Sequence, residues 1–359
     1  MKKVAVIMAG GGGTRFWPIS RMSYPKQLVS LTSSEPMINE TIHHFEKVVP
    51  VNDTFIVTNQ EQAALMKDML PGSFDKTKIL IEPVGKNTAP CILYAAMRIH
   101  KMYGDTLMSV LPADHHISDV TEYERILSLA YATAEETNKI VTIGLWPTEP
   151  ATGYGYIRFG EREGDRKEVF QLERFVEKPD KARAQEYIQS RRYLWNSGMF
   201  IWRTSVILDA FRAFLPDMYQ TFASIEDDLN TENEQNAINT IYPTLESISV
   251  DYGIMEKTKD VCVIPAEFGW NDVGSWDKLA EVFRHTEEEN VIRGPHVGID
   301  TDNCIIFSKS GKRMITTVGV SNLVIVDTDD AIMVINRDNC QDVKKLVEEL
   351  RRQGRTDLL

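Results

Sequence analysis

Cysteine is scarce in this chain. Four occur among 359 residues, at Cys91, Cys262, Cys304 and Cys340, and no two form a Cys-x-x-Cys pair. That spacing argues against a zinc knuckle and against a disulfide-stapled secreted scaffold, and it suits a reducing cytoplasm. There is no run of about 18 apolar residues that could span a bilayer, so a membrane partner is not expected. The amino terminus, "KKVAVIMAGGGG", has too short an apolar core for a signal peptide before it runs into glycine. Positive charge is also short: 40 Lys and Arg against 52 Asp and Glu leave a net charge of −12. A nucleic acid needs a broad basic face and is not expected as a partner. A polyphosphate ligand would have to be held by a few placed cations, backbone amides and a divalent cation.

A hydrophobic share of 43% over 359 residues supports a large domain with a smaller one beside it. Apolar runs at Val4–Met8, Phe55–Thr58, Lys78–Ile81, Leu107–Leu111 and Ile140–Ile143 read as strands. Helical patterns lie between them, at Pro36–Phe45, Glu61–Leu70, Thr88–Met102 and Glu122–Thr137. Strands apolar on both faces and separated by helices imply a parallel sheet covered on both sides. In such sheets ligands sit beyond the carboxyl ends of the strands. Gly10–Arg15, Glu82-Pro83 and Pro112-Ala113-Asp114 come after strand candidates in that way. A helical block runs from Thr204 to about Tyr242, and from Arg284 the pattern changes to short strands with polar turns before a charged helix, Asp342–Arg352. That tail reads as a second, β-rich unit, a short solenoid or β-helix without a clean repeat period.

The segment "MAGGGGTRFWPISR" carries the sharpest signal. A Walker A loop needs Gly-x-x-x-x-Gly-Lys-Ser/Thr, and no Gly-Lys-Ser/Thr occurs anywhere. A dinucleotide fingerprint needs Gly-x-Gly-x-x-Gly opening into a helix, but Phe16 stands at the third glycine and Trp17-Pro18 comes next. What remains is a glycine loop whose amides wrap a polyphosphate and whose cations, Arg15 and Lys26, supply a rigid fork and a compact point charge. A plain glycine turn with surface cations is the alternative.

Together with "PKQL", "EPVGKNTAP", "LPADH", "TGYGYI", "FVEKPD", "WNSGMF", "SVDYGIMEK" and "WNDVGSW", the segment resembles the sugar-nucleotide pyrophosphorylases, and among them the mannose-1-phosphate guanylyltransferases. The likeness covers residues 1 to about 277 in order. It implies an α/β fold: a Rossmann-like nucleotidyltransferase domain with a mostly parallel sheet over residues 1–283, and a small β-helix-like domain over 284–359. It implies GTP and mannose 1-phosphate as substrates, Mg²⁺ as cofactor and a single activity. A further isomerase domain has no room after Arg284, so the tail is expected to cap the catalytic domain or help form a homodimer.

On the same resemblance, Arg15 and Lys26 would stabilise the transition state. Gly10, Gly11, Gly12, Gly13, Thr14, Glu82, Asn87 and Ala113 would hold the nucleotide. Gly153, Tyr154, Glu177, Lys178 and Asn196 would hold the sugar phosphate, and Asp114 and Asp272 the metal. Asp272 could instead cap a helix over Ser275–Phe283, and Asn87 could cap the helix from Thr88. Asp251 could face the sugar pocket or be a core-facing or capping residue. His115 and His116 follow Asp114 but have no further His or Cys at zinc spacing. Lys86, Gly253 and Gly12 stand where the family commonly has arginine, alanine and serine, and none of these removes a charge. Two other readings stay open: another nucleotide or hexose 1-phosphate, and a non-catalytic nucleotide-sugar-binding subunit.

Overall fold

A computed structural model describes all 359 residues. The strands of the large unit are β1 (Lys3–Met8), β2 (Thr54–Asn59), β3 (Ile79–Glu82), β4 (Leu107–Pro112), the two-residue β5 (His116–Ile117), β6 (Ile140–Leu145), β7 (Tyr156–Arg162), β8 (Phe170–Val176), β9 (Tyr193–Arg203), β10 (Val261–Ala266) and the two-residue β11 (Trp270–Asn271). Nine form one sheet in the order β3-β2-β1-β4-β9-β6-β10-β8-β7. β9 runs antiparallel to β4, β6 and β7, and β8 runs antiparallel to β10 and β7; the other seven share one direction. Successive residues of β1 bury into opposite layers. Val4 and Val6 pack with the helix Thr88–Tyr103, whereas Ala5 and Ile7 pack with the helices Met37–Phe45 and Val120–Thr137. Each such fully buried Val or Ile contributes about 1.5–3 kcal/mol, so the sheet's centre is fixed by burial on both faces.

The long β9 hides behind a broken pattern in "WNSGMFIW". Gly198 sits at φ +71°, and the pairing with β6 slips between Thr142 and Gly144. The helical block is three helices, Thr204–Phe214, Pro216–Ala223 and Glu234–Ile241; Pro216 occupies the first turn of the second, where its missing N–H costs nothing.

The tail holds β12 (Val291–Arg293), β13 (His296–Asp302), β14 (Ile305–Ser308), β15 (Ile315–Ser321), β16 (Leu323–Asp327) and β17 (Ile332–Asn336). β12, β14 and β16 stack in parallel, as do β13 and β15, and β17 closes the stack antiparallel to β16. Parallel stacking of successive coils is β-helix architecture. Its apolar side is shared with the large unit: Ile305, Val324, Val343 and Val347 pack with Phe16, Trp17 and Ile19. Trp17 Nε1–H donates to the carbonyl of Leu358 at 2.9 Å, and Arg21 pairs with Asp330 at 2.6 Å. The tail therefore grips the segment directly behind the glycine loop.

Candidate active site

The loop after β1 is shaped from behind. Gln27 Nε2 donates to the carbonyls of Ala9 at 2.8 Å and Gly11 at 3.1 Å, Thr58 Oγ1 donates to Ala9 at 3.0 Å, and the Ser20 hydroxyl donates to the carbonyl of Gly13. The backbone amides of Gly10–Gly13 meet no protein acceptor. Amides left without a protein acceptor, in a loop whose carbonyls are tied down, are available to an anion. The glycines are not equivalent. Gly13 has φ +53°, and a Cβ there would lie 2.5 Å from Lys26 N; a Cβ on Gly11 or Gly12 would meet nothing within 4 Å.

Three compartments meet along the carboxyl edge of the sheet. Gly10, Gly11, Glu82, Lys86, Asn87 and Cys91 line the first. Glu82 ends β3 and is 6% exposed; its carboxyl accepts from the Tyr242 hydroxyl, and burial pushes its pKa up to about 7 in spite of that bond. Asn87 sits at φ +68°, caps the helix Thr88–Tyr103 by accepting from Thr88 N at 2.9 Å, and also lines this compartment.

The second compartment is lined by Gly153, Tyr154, Glu177, Lys178, Asn196 and Asp251, with Trp270 and His115 along one wall. Asn196 Nδ2 donates to Asp251 Oδ1 at 3.0 Å, and Lys178 pairs with Glu177 at 3.1 Å. Burial, then the neighbouring Glu177 carboxylate, raises the Asp251 pKa to about 6. Asp251 thus faces the pocket. Gly155 is the glycine this wall depends on: a Cβ there would collide with Glu177 Oε2, whereas Gly153 has open space. Trp270 Nε1–H donates to His115 Nδ1 at 3.0 Å. Indole can only donate, so Nδ1 accepts and a neutral His115 carries its proton on Nε2. The short ribbon pairing β5 with β11 makes this contact, and strands of two residues left no readable pattern in the sequence.

The third compartment holds Gly13, Thr14, Arg15, Lys26, Asp114 and Asp272, and also Lys344 from the far end of the chain. Arg15 is exposed and unpaired. Lys26 is 5% exposed and fully engaged: Nζ donates to the Asp114 carbonyl at 2.8 Å, to Asp114 Oδ2 at 3.0 Å and to the Asp272 carbonyl at 2.7 Å. It ties together the two loops that carry the aspartates. Burial would raise the Asp114 pKa, but the Lys26 ammonium and His115 outweigh it and hold the carboxyl below the usual range. Asp272 does not cap a helix. The helix there is only Trp276–Ala280 with Ser275 at its N-cap, and Asp272 Oδ1 accepts from Gly274 N at 3.2 Å. No group of three His, Cys, Asp or Glu side chains converges as a metal cage. His115 and Asp272 border the second and third compartments alike, while Met8 and Pro112 border the first and second. Gly12 and Ala113 line none of the three; Ala113 is buried, with its N–H on the carbonyl of Met8.

The nucleotidyl transferase family profile matches residues 4–289, and a MannoseP isomerase/GMP-like beta-helix domain profile matches 294–350. The chain belongs to the nucleotidyl transferase family. Within it, the chain is 38% identical over 363 residues to the mannose-1-phosphate guanylyltransferase of Escherichia coli K12, covering 99% of this chain and 74% of that one. It is 39% identical over 356 residues to the xanthan biosynthesis protein XanB of Xanthomonas campestris pv. campestris, covering 98% and 74%. A solved structure from Thermus thermophilus, described as a mannose-1-phosphate geranyltransferase, superposes with a TM-score of 0.87 at 34% identity and covers 98% of this chain and all of that one. The mixed α/β sheet and the β-helical tail of this nucleotidyl transferase are those expected from the sequence.

Proposed function

We propose that the chain transfers GMP from GTP to α-D-mannose 1-phosphate, giving GDP-mannose and pyrophosphate. The observation that carries this reading is the three-part cleft, in which His115 and Asp272 border both a polar, aromatic-walled compartment of hydroxyl-binding side chains and one lined with cations. The names of the guanylyltransferase relatives favour the same pair of substrates.

An oxygen of the sugar phosphate attacks the α-phosphorus, the bond from that phosphorus to the β-bridging oxygen breaks, and pyrophosphate leaves with the electron pair. The protein's task in such a displacement is positioning and charge neutralisation. The free amides of Gly10–Gly13, with Thr14 and Arg15, receive the triphosphate. Glu82 accepts from the N1–H and N2 amine of guanine beside Asn87. Asn196, Glu177 and Asp251 take sugar hydroxyls against Tyr154 and the Gly153 turn, and Lys178 orients the attacking phosphate. Asp114 and Asp272 offer carboxylate oxygens only, a donor set suited to Mg²⁺, and each keeps an oxygen beyond those bonded to Lys26 and Gly274. When bound, the ion neutralises charge on both reactants. Lys26 keeps the two aspartate loops at a fixed separation.

A pyrophosphate-release assay crossing four nucleoside triphosphates with several hexose 1-phosphates tests the substrates. GTP with mannose 1-phosphate should give the highest kcat/KM; a better pair, or no release from any pair, would overturn the assignment.

The Glu82 carboxyl adds a pH dependence. With its pKa near 7, it is largely neutral at pH 6 and largely ionised at pH 8. Only the ionised form accepts from both guanine donors, so KM for GTP should rise about tenfold between pH 8 and pH 6. For folding the sign is opposite. A raised carboxyl pKa contributes stability below the ordinary carboxyl range, and that contribution fades as pH climbs through 7. Measuring KM for GTP over this range in wild type and in Glu82→Gln decides the matter, because a profile that survives in Glu82→Gln belongs to another group.

A further inference from the structure

Lys344 stands apart from every residue that the glycine-loop pattern brings to the cleft. It belongs to the helix Val343–Arg352 of the β-helical unit, yet it borders the same compartment as Arg15, Lys26, Asp114 and Asp272. Its neighbours fix it there. Val343 and Val347 are buried with Phe16 and Trp17 in one apolar cluster, so the turn carrying Lys344 is seated against the segment Thr14–Phe16 itself. Bonds from Trp17 to the Leu358 carbonyl and from Arg21 to Asp330 hold the same contact on either side.

The charges in this compartment are unequally committed. Lys26 gives its ammonium to three acceptors on the aspartate loops. Arg15 and Lys344 are exposed and make no ion pair or hydrogen bond with protein. The next residue, Lys345, is spent differently, pairing with Asp342 on its own helix at 2.7 Å. Two carboxylates share the compartment and the chain carries −12 overall, so a tetra-anionic ligand needs more uncommitted cation than Arg15 alone provides. We propose that Lys344 binds the β- and γ-phosphates of the nucleotide, and the pyrophosphate they become, so that the β-helical unit supplies a substrate-binding residue to the catalytic cleft. This deepens the nucleotidyl-transfer reading and rests on it.

Isothermal titration of inorganic pyrophosphate, with Mg²⁺ present, into the full-length chain tests the proposal without depending on which sugar or base the enzyme prefers. Losing one charge-assisted hydrogen bond should weaken pyrophosphate binding by about tenfold in Lys344→Ala, with a larger loss in Lys344→Glu. Lys344→Arg should retain most of the affinity, and Lys345→Glu should leave it within about twofold, since its screened surface charge is already paired. In turnover, Lys344→Ala should raise KM for the triphosphate and leave KM for the sugar phosphate unchanged. Wild-type pyrophosphate affinity in Lys344→Glu would overturn the proposal. So would an equal loss in Lys345→Glu, which would assign the effect to overall charge, or a fall in melting temperature in Lys344→Ala large enough to account for its weakened binding. Should the wild type bind pyrophosphate but turn over no sugar phosphate, the substrate assignment fails while the Lys344 comparison still stands.

Discussion

Lys26→Met should lower kcat by about 10²-fold, the scale of misplacing groups near the reacting atoms once the two aspartate loops lose their tie. It should also lower the melting temperature, which a lysine reaching only toward substrate would not do. The Lys26 ammonium has three acceptors, two of them backbone carbonyls on loops 246 and 88 residues away along the chain. Methionine fills the same volume but leaves those groups without a donor, at about 1–3 kcal/mol for each that stays buried. It also leaves the Asp114 carboxylate unopposed where phosphate must approach. Lys26→Arg should not restore activity, because a planar fork cannot reproduce three convergent bonds from one compact ammonium in a pocket this enclosed. Turnover within about threefold of wild type in Lys26→Met, with an unchanged melting temperature, would remove Lys26 from the machinery.

Gly13→Ala should reduce kcat/KM for GTP by about 10²-fold, the scale of a roughly 1 Å misplacement near the reacting groups. Two costs add. The left-handed backbone at φ +53° costs a residue with Cβ about 1–2 kcal/mol. The new Cβ would also lie 2.5 Å from Lys26 N and 2.7 Å from Lys26 Cβ, so either the loop or the lysine must move. Because both belong to the same compartment, movement of either disturbs the free loop amides and the aspartate loops together. Gly12→Ala, where a Cβ meets open space, should lose much less. Equal kinetics for Gly13→Ala and wild type would mean that the loop geometry is not what holds the nucleotide.

The parts of this site that lie at strand ends were legible in the sequence. Apolar runs locate β1, β3 and β4, and the topology of such sheets puts their carboxyl ends at the ligand edge, where Glu82, Asp114 and the glycine loop are found. Contacts between distant loops were not legible. Lys26 reads as a free point charge because nothing along the chain announces that residues 114 and 272 will both close on it. Gly153 and Gly155 look alike as letters, and only the approach of Glu177 separates them. The wall formed by His115 and Trp270 depends on a two-residue ribbon, too short to carry a periodicity. Gln27 and Gln62, which hold the loop carbonyls, look like ordinary polar residues until the fold places them behind it.

The grip of the tail on Trp17 also has a consequence in time. Trp17 and Leu358 are joined by a hydrogen bond across 341 residues of chain. A ribosome adding about 5–20 residues per second leaves roughly 20–70 s between making the glycine loop and making the residues that brace it. Throughout that interval Phe16, Trp17 and Ile19 lack the apolar partners they have in the finished fold. The glycine loop is made long before the residues that brace it, so a nascent chain can hold that loop in its final shape only after the β-helical unit has been synthesised.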